Sequence, residues 1–276
     1  CFSRPSLAPM LALRRTDSSL APSTSPMRIA AAQTPSLPNN VAANVQTHLR
    51  FAEAAAAMGV QVLVFPELSL TGYELADINH TALDLDAPVL QPLCAAAMRY
   101  GMALIVGAPV VAAERGHKPG IGALVLEPDG SHAVYCKRYL HPGEDVYARA
   151  GCEDAHLRTW TGESMALAIC ADIAEPAHAD AAARRGASLY LAGVLISEAG
   201  YARDAALAQD YAARHGMGVL LANHGAPSGG YASAGRSAFW APGGVLAGQT
   251  PGTGAWLLIA ERDSAGWTAH AEAVSP

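Results

Sequence analysis

The chain has 276 residues, 51% of them hydrophobic, which is enough to bury one large core without staples and implies a single compact domain. Lys and Arg total 18 against 24 Asp and Glu, and no basic run occurs, so the electrostatic footprint of a nucleic-acid binder is missing and a small, weakly charged substrate fits better. The five cysteines (Cys1, Cys94, Cys136, Cys152 and Cys170) are odd in number and lack CxxC pairs, and no histidines stand at HExxH spacing. A disulfide framework and a structural zinc site are thereby excluded, and the expectation is a reducing cytoplasm with no metal or other cofactor.

Residues 1–26 are rich in Ser and Pro, carry Arg4, Arg14 and Arg15 against the single acid Asp17, and have no apolar core of signal-peptide length. They read as a disordered leader, with Met27 as the expected natural start of a domain covering 27–276. A lipidated first cysteine and an organelle transit peptide are weaker options.

From Met27 onward, short apolar runs alternate with longer amphipathic stretches, the pattern of layered α/β architecture. A strand is expected over 28–33. A helix follows over 39–58, with Val41, Val45, Leu49, Ala52 and Ala56 on one face, Asn at its start and Gly59 at its stop. Residues 61–65 form a buried strand ended by Pro66. A second helix over 88–99, closed by Gly101, leads into a strand over 102–106.

Strands over 123–127, 132–137, 157–161 and 164–170 then follow without a helix between them, separated by turn chemistry such as Pro128-Asp129-Gly130. A helix over 175–185, a strand over 188–194, a helix over 203–215 and a strand over 218–223 complete a second alternating stretch. The C-terminal part is strand-rich, with runs at 237–241, 245–248, 256–261 and 267–274. Near-continuously apolar central strands require cover on both faces. An αββα sandwich of two mixed sheets with outer helices uses this many strands and this few helices, although the count alone suits several four-layer folds.

Hydrolysis of an unactivated C–N bond needs a nucleophile, a base and a positive group where an oxyanion develops. Three segments supply such groups, each at a strand end, where α/β folds gather their sites. In Phe65-Pro66-Glu67 a carboxylate follows a buried strand and a rigid proline, which should shelter it and raise its pKa. Lys137, seven residues before Glu144, ends another strand and could face a thiolate or an oxyanion. In Ile169-Cys170-Ala171-Asp172 a cysteine leaves an apolar strand toward the helix expected at 175, whose amides and dipole would lower the thiol pKa. Taken singly, a surface Glu, a solvated Lys and an inert core Cys are the more common explanations.

Together, in this order and spacing, the segments resemble the nitrilase, or carbon–nitrogen hydrolase, superfamily. The matching features are the FPE motif, the Lys with a Glu seven residues on, the ICxD motif, RIAAAQT at 28–34, TGY at 71–73, LLANHG at 220–225 and GRSAFWAPGG at 235–244. The resemblance implies the αββα fold and a Glu-Lys-Cys triad, with Cys170 as nucleophile, Glu67 as general base and acid, and Lys137 as oxyanion partner. It also implies that Glu144 positions the substrate and orients the lysine, and that the Ala171 N–H is the second oxyanion donor. Hydrolysis of a small linear amide through a thioester is the expected reaction. Nitrile hydrolysis, N-carbamoyl hydrolysis or acyl transfer at the same site, and a catalytically silent binding subunit, are the alternatives. A homodimer or larger homo-oligomer is a further implication, with no membrane or nucleic-acid partner.

One departure bears on substrate choice. Many members carry CYDxRFPE, whose arginine reads a substrate carboxylate in some subfamilies, whereas this chain has Cys170-Ala171-Asp172-Ile173-Ala174-Glu175-Pro176. Carboxylate readers are thereby disfavoured, unless Arg184, Arg203 or Arg236 reaches in from elsewhere. Tyr73, Val194 and Leu195 are expected to line the pocket, Cys94 and Cys136 to pack in the core, and Cys152 to be exposed. Asp172 is expected to bind backbone amides beside the nucleophile, and neither His141 nor His224 is needed for catalysis.

Overall fold

A computed structural model describes residues 26–112, 114, 116–152 and 156–275, so the leader expected over 1–26 lies, but for its last residue, outside the described residues. In chain order the elements are β1 (Met27–Gln33), α1 (Val41–Ala57), β2 (Val62–Val64), α2 (Ile78–Thr81), α3 (Gln91–Tyr100), β3 (Ala103–Val110), β4 (Gly120–Leu126) and β5 (His132–Cys136). There follow β6 (His156–Trp160), β7 (Glu163–Ile169), a 3₁₀ turn over Cys170–Ala174, α4 (Pro176–Arg184), β8 (Leu189–Val194), α5 (Tyr201–His215) and β9 (Gly218–Asn223). Four strands close the chain: β10 (Ala238–Ala241), β11 (Val245–Gln249), β12 (Trp256–Asp263) and β13 (Gly266–Ala273).

The strands form two sheets, one of seven in the order β13-β12-β1-β2-β3-β4-β5 and one of six in the order β11-β10-β9-β8-β7-β6. β1, β2 and β3 run parallel, as do β7, β8 and β9, while the outer strands of each sheet pair antiparallel, so both sheets are mixed. Side chains of period two explain the layering. In β1, Ile29 and Ala31 pack between the sheets with Val64, Leu167 and Leu191, whereas Ala30 and Ala32 pack outward with Phe51 of α1 and Leu93 of α3. In β8, Leu189 and Leu191 point inward, and Tyr190, Ala192 and Val194 point outward against Ala182 of α4 and Ala208, Tyr211 and Ala212 of α5. This is the expected αββα sandwich. Among the described residues no helix is long and apolar enough to cross a membrane.

The start of α1 follows sequence chemistry closely: Asn40 Oδ1 accepts from Ala43 N at 3.1 Å, as an N-cap should. Two differences from expectation are physical. β3 runs on to Val110, through Gly107 and Pro109, because β4 pairs antiparallel with it all the way to Val110, while on its other side β2 pairs only as far as Ile105 and a loop lies along it beyond that point. Leu70 N donates there to Gly107 O and Leu83 N to Pro109 O. The second difference is the 3₁₀ turn that carries Cys170 before α4 begins.

Candidate active site

Glu67 follows β2 in a tight turn wedged between the two sheets. A Cβ at Gly107 would lie 2.0 Å from the Pro66 carbonyl oxygen, and one at Gly193 would lie 2.5 Å from that of Phe65. Only glycine permits the backbone to approach this closely from both sides. Leu68, next in the turn, takes φ +50°. Behind the turn, His224 Nε2 donates to the Glu67 carbonyl at 2.6 Å, and His48 Nε2 accepts from Ser69 Oγ at 2.9 Å. His224 thus holds the backbone of the turn that carries the carboxylate.

Both imidazoles are buried and neutral. Burial lowers His48 to about 3, with His224 adding repulsion and the Asn44 carbonyl opposing, and burial lowers His224 to about 4 against the raising effect of the Glu67 carbonyl. Depressed folded-state values mean that their contribution to stability is complete above about 6.5 and is lost as pH falls toward 4 and then 3. The loss by pH 4 is on the order of 5 kcal/mol. The melting temperature should therefore fall steeply between pH 6.5 and 4, and His48→Gln should flatten that fall; a melting temperature constant across the range would refute the assignment.

Lys137 directly follows β5 and is wholly buried between two carboxylates. Its Nζ donates to Glu67 Oε1 at 2.6 Å and to Glu144 Oε1 at 2.7 Å. Burial opposes the ammonium charge, but Glu67, Cys170 and Glu144 more than offset it and hold the pKa above the ordinary lysine value. Glu144 is fixed in turn by Tyr73, whose hydroxyl donates to Oε1 at 2.5 Å, and by the His141 N–H, which donates to Oε2 at 2.7 Å. Glu67 Oε2 is buried and makes no hydrogen bond among the described residues. Burial raises Glu67 to about 7, with Lys137 opposing and Glu144 assisting, so the expected upward shift is present.

Cys170 opens the 3₁₀ turn with φ +42°, a conformation uncommon outside glycine and typical of strained functional residues. Its Sγ points toward the Leu195 carbonyl at 3.7 Å. Ala171 is the second residue of the turn, where backbone N–H groups have no acceptor within the turn. The thiol pKa moves opposite to the expectation from the helix dipole. Burial and then the Glu67 charge push it well above the ordinary value, and Lys137 offsets only part of this, so the resting thiol is neutral.

Asp172 behaves as expected. It accepts from the Ile169, Arg138 and Tyr139 amides at 2.9, 3.1 and 2.9 Å and from the Tyr135 hydroxyl at 2.7 Å. One carboxylate thus ties the strand end before Cys170 to the strand end after Lys137.

Of the four polar residues, Glu67 and Cys170 line a small chamber of about 40 Å³ together with Tyr73, His141, Leu195 and Tyr231, while Lys137 and Glu144 are buried behind Glu67 and Tyr73, to which they are hydrogen-bonded. A second chamber of about 120 Å³ shares Cys170, His141, Leu195 and Tyr231 with the first and is lined by Ala171, by Arg203, one of the three arginines considered able to reach in, and by Asp204. Of the expected lining, Tyr73, Leu195 and Ala171 are in place. Val194 is not: it faces the helical layer with Ile196, because alternation turns only one of two neighbouring residues toward the site. Larger clefts of about 380 and 370 Å³ lie around α3, far in character from the site, and contain none of the four residues. Cys152 is exposed, and Cys94 and Cys136 pack partly against the outer core, as expected.

A profile of the family described as carbon–nitrogen hydrolase matches residues 28–272. Among solved structures, a mutant of the Nesterenkonia AN1 amidase from the nitrilase superfamily with its cysteine changed to serine is 29% identical. It superposes with a TM-score of 0.78 over 84% of this chain and 90% of that one. A glutamate-to-glutamine mutant of the amidase from Nesterenkonia sp. AN1, carrying acrylamide at the active site cysteine, matches at 29% identity and TM-score 0.78 over 84% and 92%. A cysteine-to-alanine mutant of that amidase in complex with butyramide matches at 29% and 0.79 over 88% and 93%.

Proposed function

Given that this chain belongs to the carbon–nitrogen hydrolase family, we propose that it hydrolyses a small linear amide through a thioester on Cys170. The observation that carries this reading is the buried junction in which Lys137 bridges Glu67 and Glu144, with Glu67 and the Cys170 sulfur lining one small chamber. A raised thiol pKa demands a base within the site, and the unbonded Oε2 of Glu67 is the atom available to take the proton.

In this scheme Glu67 accepts the Cys170 proton as the sulfur attacks the amide carbon. The oxyanion is held by Lys137 Nζ and the Ala171 N–H. Collapse breaks the C–N bond, and Glu67 returns its proton to the departing amine. Water entering the same place gives a proton to Glu67 and its hydroxide to the thioester carbon. The C–S bond then breaks, the acid leaves, and Cys170 recovers its proton. Glu144 takes no proton; bound by Tyr73, His141 and Lys137, it keeps the ammonium aimed and charged. Nucleophile, base and both oxyanion donors belong to the chain itself.

Ammonia release from short amides, with hydroxylamine trapping an acyl group on Cys170, tests the reading directly. The pH profile adds a signature, because Glu67 must be ionised to act and its value is about 7. The kcat/KM should fall tenfold per unit below about pH 7, and the residual activity of Glu67→Gln should lack that limb. A limb centred in the usual carboxylate range, or one retained in Glu67→Gln, would remove Glu67 from its role.

A further inference from the structure

Three of the four donors to Asp172 are backbone amides beside the nucleophile and the lysine, those of Ile169, Arg138 and Tyr139. The fourth, the Tyr135 hydroxyl, leads away from the site. Its oxygen also lies 2.9 Å from Nε2 of His178, the third residue of α4, and His178 Nδ1 lies 2.7 Å from the hydroxyl of Tyr190 on β8. All four side chains are buried. Tyr135, Tyr139 and Tyr190 surround the imidazole, with ring centroids 6.1, 6.2 and 5.7 Å from it.

Burial, and then the Asp172 charge, raises the pKa of the Tyr135 and Tyr190 hydroxyls, so both keep their protons. Tyr135 has one proton and gives it to Asp172 Oδ2, which leaves its oxygen to accept from His178 Nε2–H. In the neutral imidazole Nδ1 then accepts from Tyr190. Three successive donors thus point one way, from β8 through α4 and β5 to a single carboxylate. Stability alone does not ask for such a chain, since apolar side chains of matching shape fill a buried site about as well. What it supplies is orientation. Cys170 at φ +42° keeps its conformation only if its surroundings impose it, and the carboxylate that holds the amide before it also holds the two amides after Lys137. We propose that Tyr135 and His178 are positioning residues for the reaction: by fixing Asp172 they set where Cys170 and the Ala171 N–H stand relative to Lys137. The proposal rests on the amide-hydrolysis reading above. Neither residue lines either chamber, so neither touches substrate.

Tyr135→Phe keeps the ring and removes the donor, and His178→Leu removes both ring nitrogens. Each is expected to lower kcat about tenfold or more with KM changed less than about threefold, as misplacement of reacting groups does. The double variant should fall within about threefold of the poorer single one, because both act through one carboxylate. His178→Gln, whose amide nitrogen can stand in for Nε2, should recover most of the loss. Circular dichroism verifies folding, and if His178→Leu does not fold, Tyr135→Phe decides alone. Alkylation of Cys170 by iodoacetamide at pH 7, read by mass spectrometry, reports the same geometry without substrate. It should slow by at least about threefold in Tyr135→Phe, while the exposed Cys152 reacts at the parental rate. An unchanged kcat in Tyr135→Phe, a loss confined to KM, or equal damage from His178→Leu and His178→Gln would overturn the positioning role. A parent enzyme that releases no ammonia from any short amide would instead overturn amide hydrolysis. The alkylation comparison keeps the two failures apart: slowed labelling retains Tyr135 as a residue that positions Cys170, and equal labelling removes it.

Discussion

Cys170→Ala is expected to abolish turnover, by a factor on the order of 10⁵ or more, while leaving the melting temperature within a few degrees of the parent. The size of the effect follows from the chemistry assigned to the sulfur: the thioester needs a thiol, and no other side chain lining the inner chamber carries one. The small effect on stability follows from the local backbone. Position 170 holds φ +42°, which costs alanine about as much as cysteine, and the lost Sγ makes a long contact with the Leu195 carbonyl and a weak one with the Glu67 carboxylate. A variant that kept more than about a thousandth of the parental kcat/KM, measured by ammonia release, would end the covalent scheme.

Lys137→Met should be the most damaging single change overall, because it fails on two counts. Removing an oxyanion donor lowers kcat by a factor on the order of 10²–10³. Lys137 is also the shared counter-ion of Glu67 and Glu144, and its side chain is 0% exposed. Leaving those carboxylates buried without it costs about 3–5 kcal/mol at neutral pH. Turnover would therefore be lost together with much of the stability.

The pH dependence distinguishes this cause from ordinary cavity formation. Glu67 already stands raised, at about 7, and loses the one strong influence that lowers it. A carboxyl raised in the folded state contributes stability that is complete below its unfolded value and is lost as pH rises through the folded one. The gap in melting temperature between parent and variant should thus narrow as pH drops from 8 to 5, and a gap independent of pH would mean that packing, not charge, is at stake.

The sequence made the site legible where chemistry coincides with strand ends. Glu67, Lys137 and Cys170 each stand just past an apolar run, and parallel strands of a layered fold bring such ends together. What stayed hidden depended on parity or neighbourhood. Val194 and Leu195 are equally apolar, and a strand covered on both faces gives no alternation to tell which one faces the site. The thiol shift took the wrong sign because helix position was visible, whereas the burial of the sulfur and the Glu67 charge beside it were not. The strand expected over 102–106 continues as β3 through Gly107 and Pro109, since β4 pairs with it as far as Val110. No periodicity could show that His224 holds the Glu67 carbonyl, or that Arg203 on α5 reaches the cavity shared with Cys170.

The turn bearing Glu67 is squeezed by Gly107 from one sheet and Gly193 from the other, while its partners arrive separately, Lys137 from the seven-stranded side and Cys170 from the six-stranded side. Neither half of the sandwich therefore owns the chemistry. The sulfur has no base and no ammonium beside it until the two halves meet. Sliding one half past the other by an ångström would part base from nucleophile while leaving every strand intact, which makes activity a more sensitive gauge of how the halves are seated than any measure of secondary structure.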